Sequence, residues 1–311
     1  MIDLKTKKIL TTGSGGFLGK GVIKELQSRG VPENAIFAPR QKELDLLKRE
    51  NCRKAVEGID LVIHAAAYTG GLSSHRSAPG DIFYSNLVMG VELMEAARGA
   101  GVEKFVSIGS AAEYPHDAPM PLHEKDLWNG LPDAVHVPYA MAKRMMIVQG
   151  QAYNQQYGFK AIHLLHNNMY GPEESPENTY IIPTKIRQIA EAKRNGTNIV
   201  AWGTGEATRE FVYITDAARA VVLATENYDS PEPINIGSGE ETPIKTVIES
   251  IAKHFDFEGK ITWDNIPEHN GVLRRVLDGS RAKQELGYEA KVPFVEGIKK
   301  TVDWYQENVY K

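Results

Sequence analysis

The sequence predicts an α/β protein, a doubly wound parallel sheet followed by a smaller C-terminal α/β part. Three observations carry this expectation. Short apolar runs alternate with stretches of helical periodicity over residues 8–165. A glycine-rich turn joins the first run to the first helix. After Gly171-Pro172 the loops become richer in Pro, Gly and polar residues. Taken in order, Lys8–Thr12 is a strand and Gly19–Arg29 a helix, with Val22, Ile23 and Leu26 at helical spacing and Gly30 as its stop. Ala35–Ala38 is a second strand. Asp60–Ala66 is a third, the near-continuous apolar run of a strand covered on both faces. Asn86–Ala100 is a helix, Lys104–Gly109 a strand, Tyr139–Tyr157 a long helix closed by Gly158, and Ala161–Leu165 a strand. Such alternation gives βαβ units and a parallel sheet with helices on both sides. Further on, Ile181–Lys193, Thr246–Phe255 and Phe294–Asn308 are helices. Phe211–Ile214 and Pro233–Ile236 are short returns to the main sheet. The expected division is 1–171, with returning segments at about 210–236, against 172–209 and 237–311.

Composition narrows the function classes. With 36 Lys plus Arg against 40 Asp plus Glu, the net charge of -4 offers no basic excess for nucleic acid and no polybasic run for an anionic membrane. No apolar stretch approaches the roughly 18 residues of a membrane span. The start, MIDLKTKKIL, lacks an apolar signal core, so the cytoplasm is the expected address. The single Cys52 excludes an intrachain disulfide. The His residues show no metal-ligand spacing, so no metal is expected.

The turn Thr12-Gly13-Ser14-Gly15-Gly16-Phe17-Leu18-Gly19 sits between strand and helix, with Gly13, Gly16 and Gly19 three apart. Gly13 permits the tight turn, Gly16 lets backbone approach a pyrophosphate, and Gly19 lets the helix pack closely. The helix N-terminus offers free N–H groups and a positive dipole end. This is the dinucleotide-binding arrangement of a Rossmann sheet. An acidic residue after the second strand would hold the ribose of NAD, but Pro39-Arg40-Gln41-Lys42 stands there. Arg40 either pairs with the 2′-phosphate of NADP or is a solvated surface arginine. Asp45-Leu46 either meets the adenine or opens a helix.

Tyr139 and Lys143 stand at i and i+4, on one helix face. A phenol titrating at about 10 is a poor base at neutral pH. A neighbouring ammonium favours its phenolate and lets it exchange a proton with a sugar hydroxyl or carbonyl. Ser110, at the end of the Lys104–Gly109 strand, would polarise the same carbonyl.

On these residues the chain resembles the extended short-chain dehydrogenase/reductases, the NAD-dependent epimerase/dehydratase family. TGSGGFLG resembles the family's glycine motif, with Phe17 and Leu18 at its helix start. HAAA (His64, Ala65, Ala66, Ala67) resembles the motif after the fourth strand. GSAAEYP carries the serine, PYAMAK the Tyr and Lys, and NNMYGP, REFVYITD and LDGSRAKQELGY match later landmarks. Within the family, Tyr68–Gly71, DIFYSN, WGTGEATREF and Gly271–Asp278 resemble the GDP-L-fucose synthase branch, which epimerises a 4-keto-6-deoxy sugar at two carbons and then reduces C4 with NADPH. That branch uses a Cys and a His for epimerisation; here Ala112 and Tyr180 stand in their places. Dehydratases of the family place a Glu where Ala112 stands. Glu113 is one residue off that register and would face the other way along an extended segment.

The resemblance implies Ser110, Tyr139 and Lys143 as the catalytic set, with Lys143 also holding the nicotinamide ribose. It implies Gly13, Gly16, Phe17, Leu18, Gly19, Arg40, Asp45, Leu46, Ala65, Ala66, Ala67 and His166 around the cofactor. NADP is the expected cofactor and NAD the alternative. His166 is either beside the nicotinamide or a buried structural residue. Asn168 and Arg209 fall where the family holds a nucleotide diphosphate, or are a turn cap and a surface ion pair. Arg274 or Arg275 reaches the same phosphates, and Arg274 is the one carried forward. Asn86 is a substrate contact or a helix N-cap. Trp202 and Tyr213 read as packing residues. The expected activity is NADP-dependent reduction of a GDP-linked 4-keto-6-deoxy sugar at C4 without epimerisation. A 4-epimerase with tightly held NAD, a bifunctional epimerase/reductase and a non-catalytic dinucleotide sensor are the rivals. A homodimer through the 86–100 and 139–157 helices is also implied. Replacing Tyr139 by Phe should lower turnover by about 10²–10⁴-fold and leave cofactor affinity, read by fluorescence titration, unchanged. Loss of cofactor binding as well would give Tyr139 a structural role instead.

Overall fold

The computed structural model describes residues 1–266 and 272–310. The chain runs through β1 (Ile9–Thr12), α1 (Phe17–Ser28), β2 (Ile36–Phe37), α2 (Arg49–Ala55), β3 (Leu61–His64), α3 (Leu72–Ser77) and α4 (Pro79–Gly99). It continues with β4 (Lys104–Ser110), α5 (Val137–Tyr157), β5 (Lys160–His166), β6 (Asn168–Tyr170), α6 (Ile181–Asn195), β7 (Ile199–Ala201) and β8 (Thr208–Tyr213). It ends with α7 (Ile214–Asn227), β9 (Ile234–Ile236), β10 (Glu241–Pro243), α8 (Ile244–His254), β11 (Ile261–Trp263), β12 (Arg274–Arg275), α9 (Ser280–Leu286) and α10 (Phe294–Asn308).

Six strands form one parallel sheet in the order β2-β1-β3-β4-β5-β9. Its strands are buried on both faces, which is why they read as unbroken apolar runs. Side chains alternate between the faces. Ile9, Ile63, Val106 and Ile162 pack with α1 and α7, while Leu10, Val62, Phe105 and Ala161 pack with α4 and Met146 of α5. α1 lies against α7, and α4 against both α2 and α5. The strand order reverses beside β1, and the crevice at such a reversal, outside the strands' carboxyl ends, is where open α/β sheets bind ligands. The glycine turn, HAAA, Ser110 and His166 all fall at those ends. HAAA follows the third strand of this chain, not a fourth.

One expected strand belongs elsewhere. The Phe211–Ile214 run lies in β8, which pairs with β10, β12 and β6 in a separate sheet. The return to the main sheet begins with α7 and is completed by β9, beside β5. Local apolar character cannot tell which sheet a short strand joins, because pairing partners distant in sequence decide it.

The two sheets are joined at Glu210 of β8, which is fully buried. Its carboxylate accepts hydrogen bonds from Asn167 Nδ2 at 2.8 Å, Gly239 N at 2.8 Å and Leu277 N at 3.1 Å. Burial pushes its pKa up and these donors pull it back down. Among the described residues no helix is long and apolar enough to cross a membrane. Glu210→Ala would leave several buried donors without an acceptor, each costing about 1–3 kcal/mol. A loss of at least about 3 kcal/mol of unfolding free energy in urea is expected; a change below about 1 kcal/mol would mean that water replaces the carboxylate.

Candidate active site

The glycine turn meets β3's exit closely. Gly13 has φ +69, and a Cβ there would stand 2.7 Å from the Ala65 carbonyl carbon and the Ala66 amide nitrogen. A Cβ on Gly19 would strike the Gly13 carbonyl. Only glycine admits this approach. α1 starts at Phe17, two residues earlier than its periodicity predicts, with Gly16 as its N-cap, so its unpartnered first amides face the crevice. Ser14 Oγ reaches the Ala38 carbonyl at 2.9 Å and ties the turn to the end of β2. Arg40 then lies over the turn, and a Cβ on Gly15 would stand 2.7 Å from its Nη1. Its guanidinium thus sits over the glycine turn beside the crevice, where no aspartate stands. Asp45 is not a helix cap, because α2 starts at Arg49 with Lys48 as N-cap. Its Oδ1 accepts the Leu47 amide at 3.1 Å. Leu46 is a core residue packed with Leu10 and Cys52.

α5 carries Tyr139 and Lys143 on one face, with Lys143 Nζ 5.9 Å from the Tyr139 ring centroid. Ser110 closes β4 and is joined in register to His166 on β5. Lys143 is only 2% exposed. Burial pushes its ammonium down to about 8, against the pull of the Glu113 carboxylate. Burial also pushes the Tyr139 phenol well above its ordinary value, helped by Glu113 and Tyr180. The expectation that Lys143 lowers the Tyr139 pKa is therefore not met by the protein alone. Desolvation outweighs the ammonium, and Tyr139 keeps its proton. His166 is buried, and neither ring nitrogen has a hydrogen-bond partner among the described residues. Burial and neighbouring His163 push it down to about 3, so it is neutral. An unpartnered donor and acceptor at the crevice edge fit the carboxamide end of a nicotinamide. Together with the glycine cradle and Arg40, they fit a dinucleotide.

Position 112 holds an alanine in a short 3-10 turn, Ala111–Glu113, where the sequence suggests extended chain. Glu113 points inward nonetheless, to His163. Tyr180 caps α6, 3.5 Å from Thr69 Oγ1, at the rim beside Tyr139.

The other predicted contacts divide. Asn86 lies within α4, not at a helix start. Its Nδ2 donates to the Tyr68 and Ile82 carbonyls, each at 2.7 Å, and its Oδ1 accepts the Tyr68 amide at 3.2 Å. Asn86 thus holds the loop after HAAA and is not an N-cap. Asn168 is exposed and braced by Asn167 and the Glu210 carbonyl. Arg274 corrects the residue carried forward: it pairs with Glu241, and its Nε lies 2.7 Å from Oε2. Arg275 instead aligns with Arg209 across β12 and β8. Burial pushes Arg275 down and leaves its Nε without a hydrogen bond. Burial and Arg275 push Arg209 down to about 10. Two adjacent guanidiniums in a half-buried cleft suit a diphosphate. Tyr213 packs against Tyr170 as expected, whereas Trp202 is 70% exposed.

Sequence reasoning missed two histidines. The His75 ring meets the Tyr139 ring edge-on, 5.5 Å between centroids, and the His136 ring at 4.9 Å. His136 Nδ1 is 3.3 Å from Asp133 Oδ1. Burial pushes both rings' pKa values down. His136 was visible three residues before Tyr139, just ahead of the predicted helix. Nothing local marks His75.

This fold and cleft define an α/β oxidoreductase class with a Rossmann-type sheet, and the NAD dependent epimerase/dehydratase family model matches residues 9–237. The chain belongs to that family. It is 36% identical to a probable GDP-L-fucose synthase 1 of Oryza sativa subsp. japonica, covering 98% of this chain and 94% of the relative. It is 31% identical to the GDP-L-fucose synthase of Escherichia coli, covering 98% of each. Among solved structures it is similar to a GDP-mannoheptose C4 reductase from Campylobacter jejuni with NADP bound. There the TM-score is 0.88 at 26% identity, over 98% of this chain and 100% of the other. A GDP-L-fucose synthetase from Naegleria fowleri bound to NADP gives 0.88 at 26%, over 99% and 96%.

Lys143→Met removes a desolvated charge. The folded value of about 8 lies below the unfolded one, so the ammonium weakens the fold below about 8, and the penalty fades as pH rises toward 10.5. Lys143→Met should raise the urea midpoint at pH 7, lose that advantage between about pH 8 and 10.5, and abolish turnover. A lower midpoint at pH 7 would contradict the desolvation account.

Proposed function

We propose that the chain is an NADPH-dependent reductase of a GDP-linked 4-keto-6-deoxy sugar, acting at C4 without epimerising C3 or C5. One observation carries the reading. Tyr139 and Lys143 share one face of α5 beside the strand end bearing Ser110, while positions 112 and 180 hold Ala and Tyr. Alanine exchanges no proton, and a tyrosine is a far weaker base than a histidine at neutral pH. Arg40 over Gly15 supports NADP, as does the NADP bound in the two similar structures. The Arg209–Arg275 pair supports a diphosphate-linked substrate, and the names of the relatives support GDP.

NADPH, when bound, supplies the hydride. Ser110 donates a hydrogen bond to the C4 carbonyl oxygen. Tyr139, held protonated by its surroundings, gives its proton to the oxygen as it becomes an alkoxide. Lys143 holds the ribose and keeps positive charge near that oxygen. His75 packs edge-on against the Tyr139 ring, and His136 packs against His75 behind it. A homodimer through α4 and α5 belongs to the same proposal. Phe83, Tyr84, Val148 and Tyr157 lie exposed on those two helices.

The test is GDP-4-keto-6-deoxymannose in heavy water with NADPH. NADPH oxidation without deuterium at C3 or C5 is the expected result. Deuterium at either carbon would return the bifunctional reading. No NADPH oxidation, with interconversion of C4 epimers on a retained NAD, would make the chain a 4-epimerase. No turnover with any sugar nucleotide would leave a dinucleotide sensor.

A further inference from the structure

The turn after β4 is built more heavily than a turn needs. Ser110 Oγ accepts the Ala112 amide at 3.2 Å, and Glu113 Oε1 accepts the Ser110 amide at 2.7 Å, a reciprocal capping pair. Such pairs ordinarily sit at the surface, yet the Glu113 carboxylate is fully buried. His163 Nε2 lies 3.0 Å from its Oε2 and 3.3 Å from its Oε1. His163 Nδ1 is in turn 2.7 Å from Ser107 Oγ. Gly109 leaves the gap through which the imidazole reaches the carboxylate, since a Cβ there would collide with Nε2. The Glu113 carbonyl accepts from Arg144 Nε at 2.7 Å. One residue therefore ties β4, β5 and α5 together at the end of the strand that carries Ser110.

The electrostatics point the same way. His163 is held between the Glu113 carboxylate and Ser107 Oγ, which also donates to the Ile162 carbonyl at 3.0 Å. The Glu113 carboxylate raises the pKa of both Tyr139 and Lys143. The other groups around it are His163 on β5, Arg144 on α5 and Tyr114 beyond the turn. Tyr180 faces Tyr139, and His64 faces Lys143. Reduction needs a protonated Tyr139 and a charged Lys143, and a nearby carboxylate favours both forms.

We propose that Glu113, clamped by His163, is a positioning residue for C4 reduction. Its carboxylate fixes the Ser110 backbone and holds Tyr139 and Lys143 in their proton-bearing forms. Glu113 exchanges no proton with the sugar. This rests on the reductase reading above, and the experiment separates the two. Glu113→Gln keeps an acceptor for the Ser110 amide and removes the charge. Glu113→Asp keeps the charge and shortens the reach.

With NADPH and the keto sugar, Glu113→Gln should move the alkaline limb of kcat down by about one pH unit, with KM for both substrates within about twofold. Glu113→Asp should leave that limb in place and lower kcat by about tenfold. A substrate-free readout accompanies it. The pH at which the Lys143→Met gain in urea midpoint begins to shrink should fall when Glu113→Gln is the background. An unmoved limb together with an unmoved stability onset overturns the proposal. So does failure of both Glu113 variants to fold, which would make Glu113 a folding residue only. A wild-type chain that reduces no keto sugar sinks the reductase reading, and the stability onset then decides the electrostatic claim alone.

Discussion

The molecule depends most on a carboxylate that never meets solvent. Glu210 gathers the end of β5 through Asn167, the loop after β9 through Gly239, and the approach to α9 through Leu277. These segments are far apart in sequence, and no apolar contact would hold their amides in one plane. Burying the charge is unfavourable by itself, and only a full set of donors offsets it. The knot thereby seats the second sheet over the carboxyl ends of the first, and the cleft exists because those two surfaces meet. Arg209, one residue from Glu210 on β8, faces the opposite way by strand alternation and enters that cleft beside Arg275.

Within the cleft, desolvation decides the chemistry more than pairwise attraction does. Lys143 and Tyr139 are close, and a phenol beside an ammonium in water would ionise more easily. Here burial lowers the ammonium to about 8 and raises the phenol well above its ordinary value, so desolvation opposes that ionisation. The phenol therefore stays an acid until a stronger base appears next to it. A forming C4 alkoxide is such a base, whereas a resting carbonyl is not. In the proposed reduction, proton transfer is thus timed by the charge that develops on the substrate oxygen.

Much of this was legible in the residues, and the misses share a cause. The glycine turn, the main strands and the Tyr139–Lys143 face depend on local spacing, which the chain displays directly. The sheet joined by β8, the role of Asn86 and the choice between Arg274 and Arg275 depend on which distant segment pairs with which. Arg275 faces the cleft because β12 registers with β8 so that 275 stands opposite 209 while 274 meets Glu241. Two adjacent arginines in a sequence carry no mark of that register. His75 was invisible for the same reason, since α3 brings it to Tyr139 from 64 residues away in the chain.

The departures at 112 and 180 gain meaning from what replaced them. A site that moves protons at carbon needs groups that change charge readily at neutral pH. Several groups of this cleft are instead held to one state: a neutral His166, a neutral His64 and a protonated Tyr139. Under the proposed reading, a cleft with these fixed neighbours is poorly suited to abstracting a proton from C3 or C5. It is well suited to giving one proton to one oxygen. In the proposed reductase, the absence of two exchangeable groups at 112 and 180 and the fixed states of these neighbours act in one direction, away from proton exchange at carbon and toward protonation at oxygen.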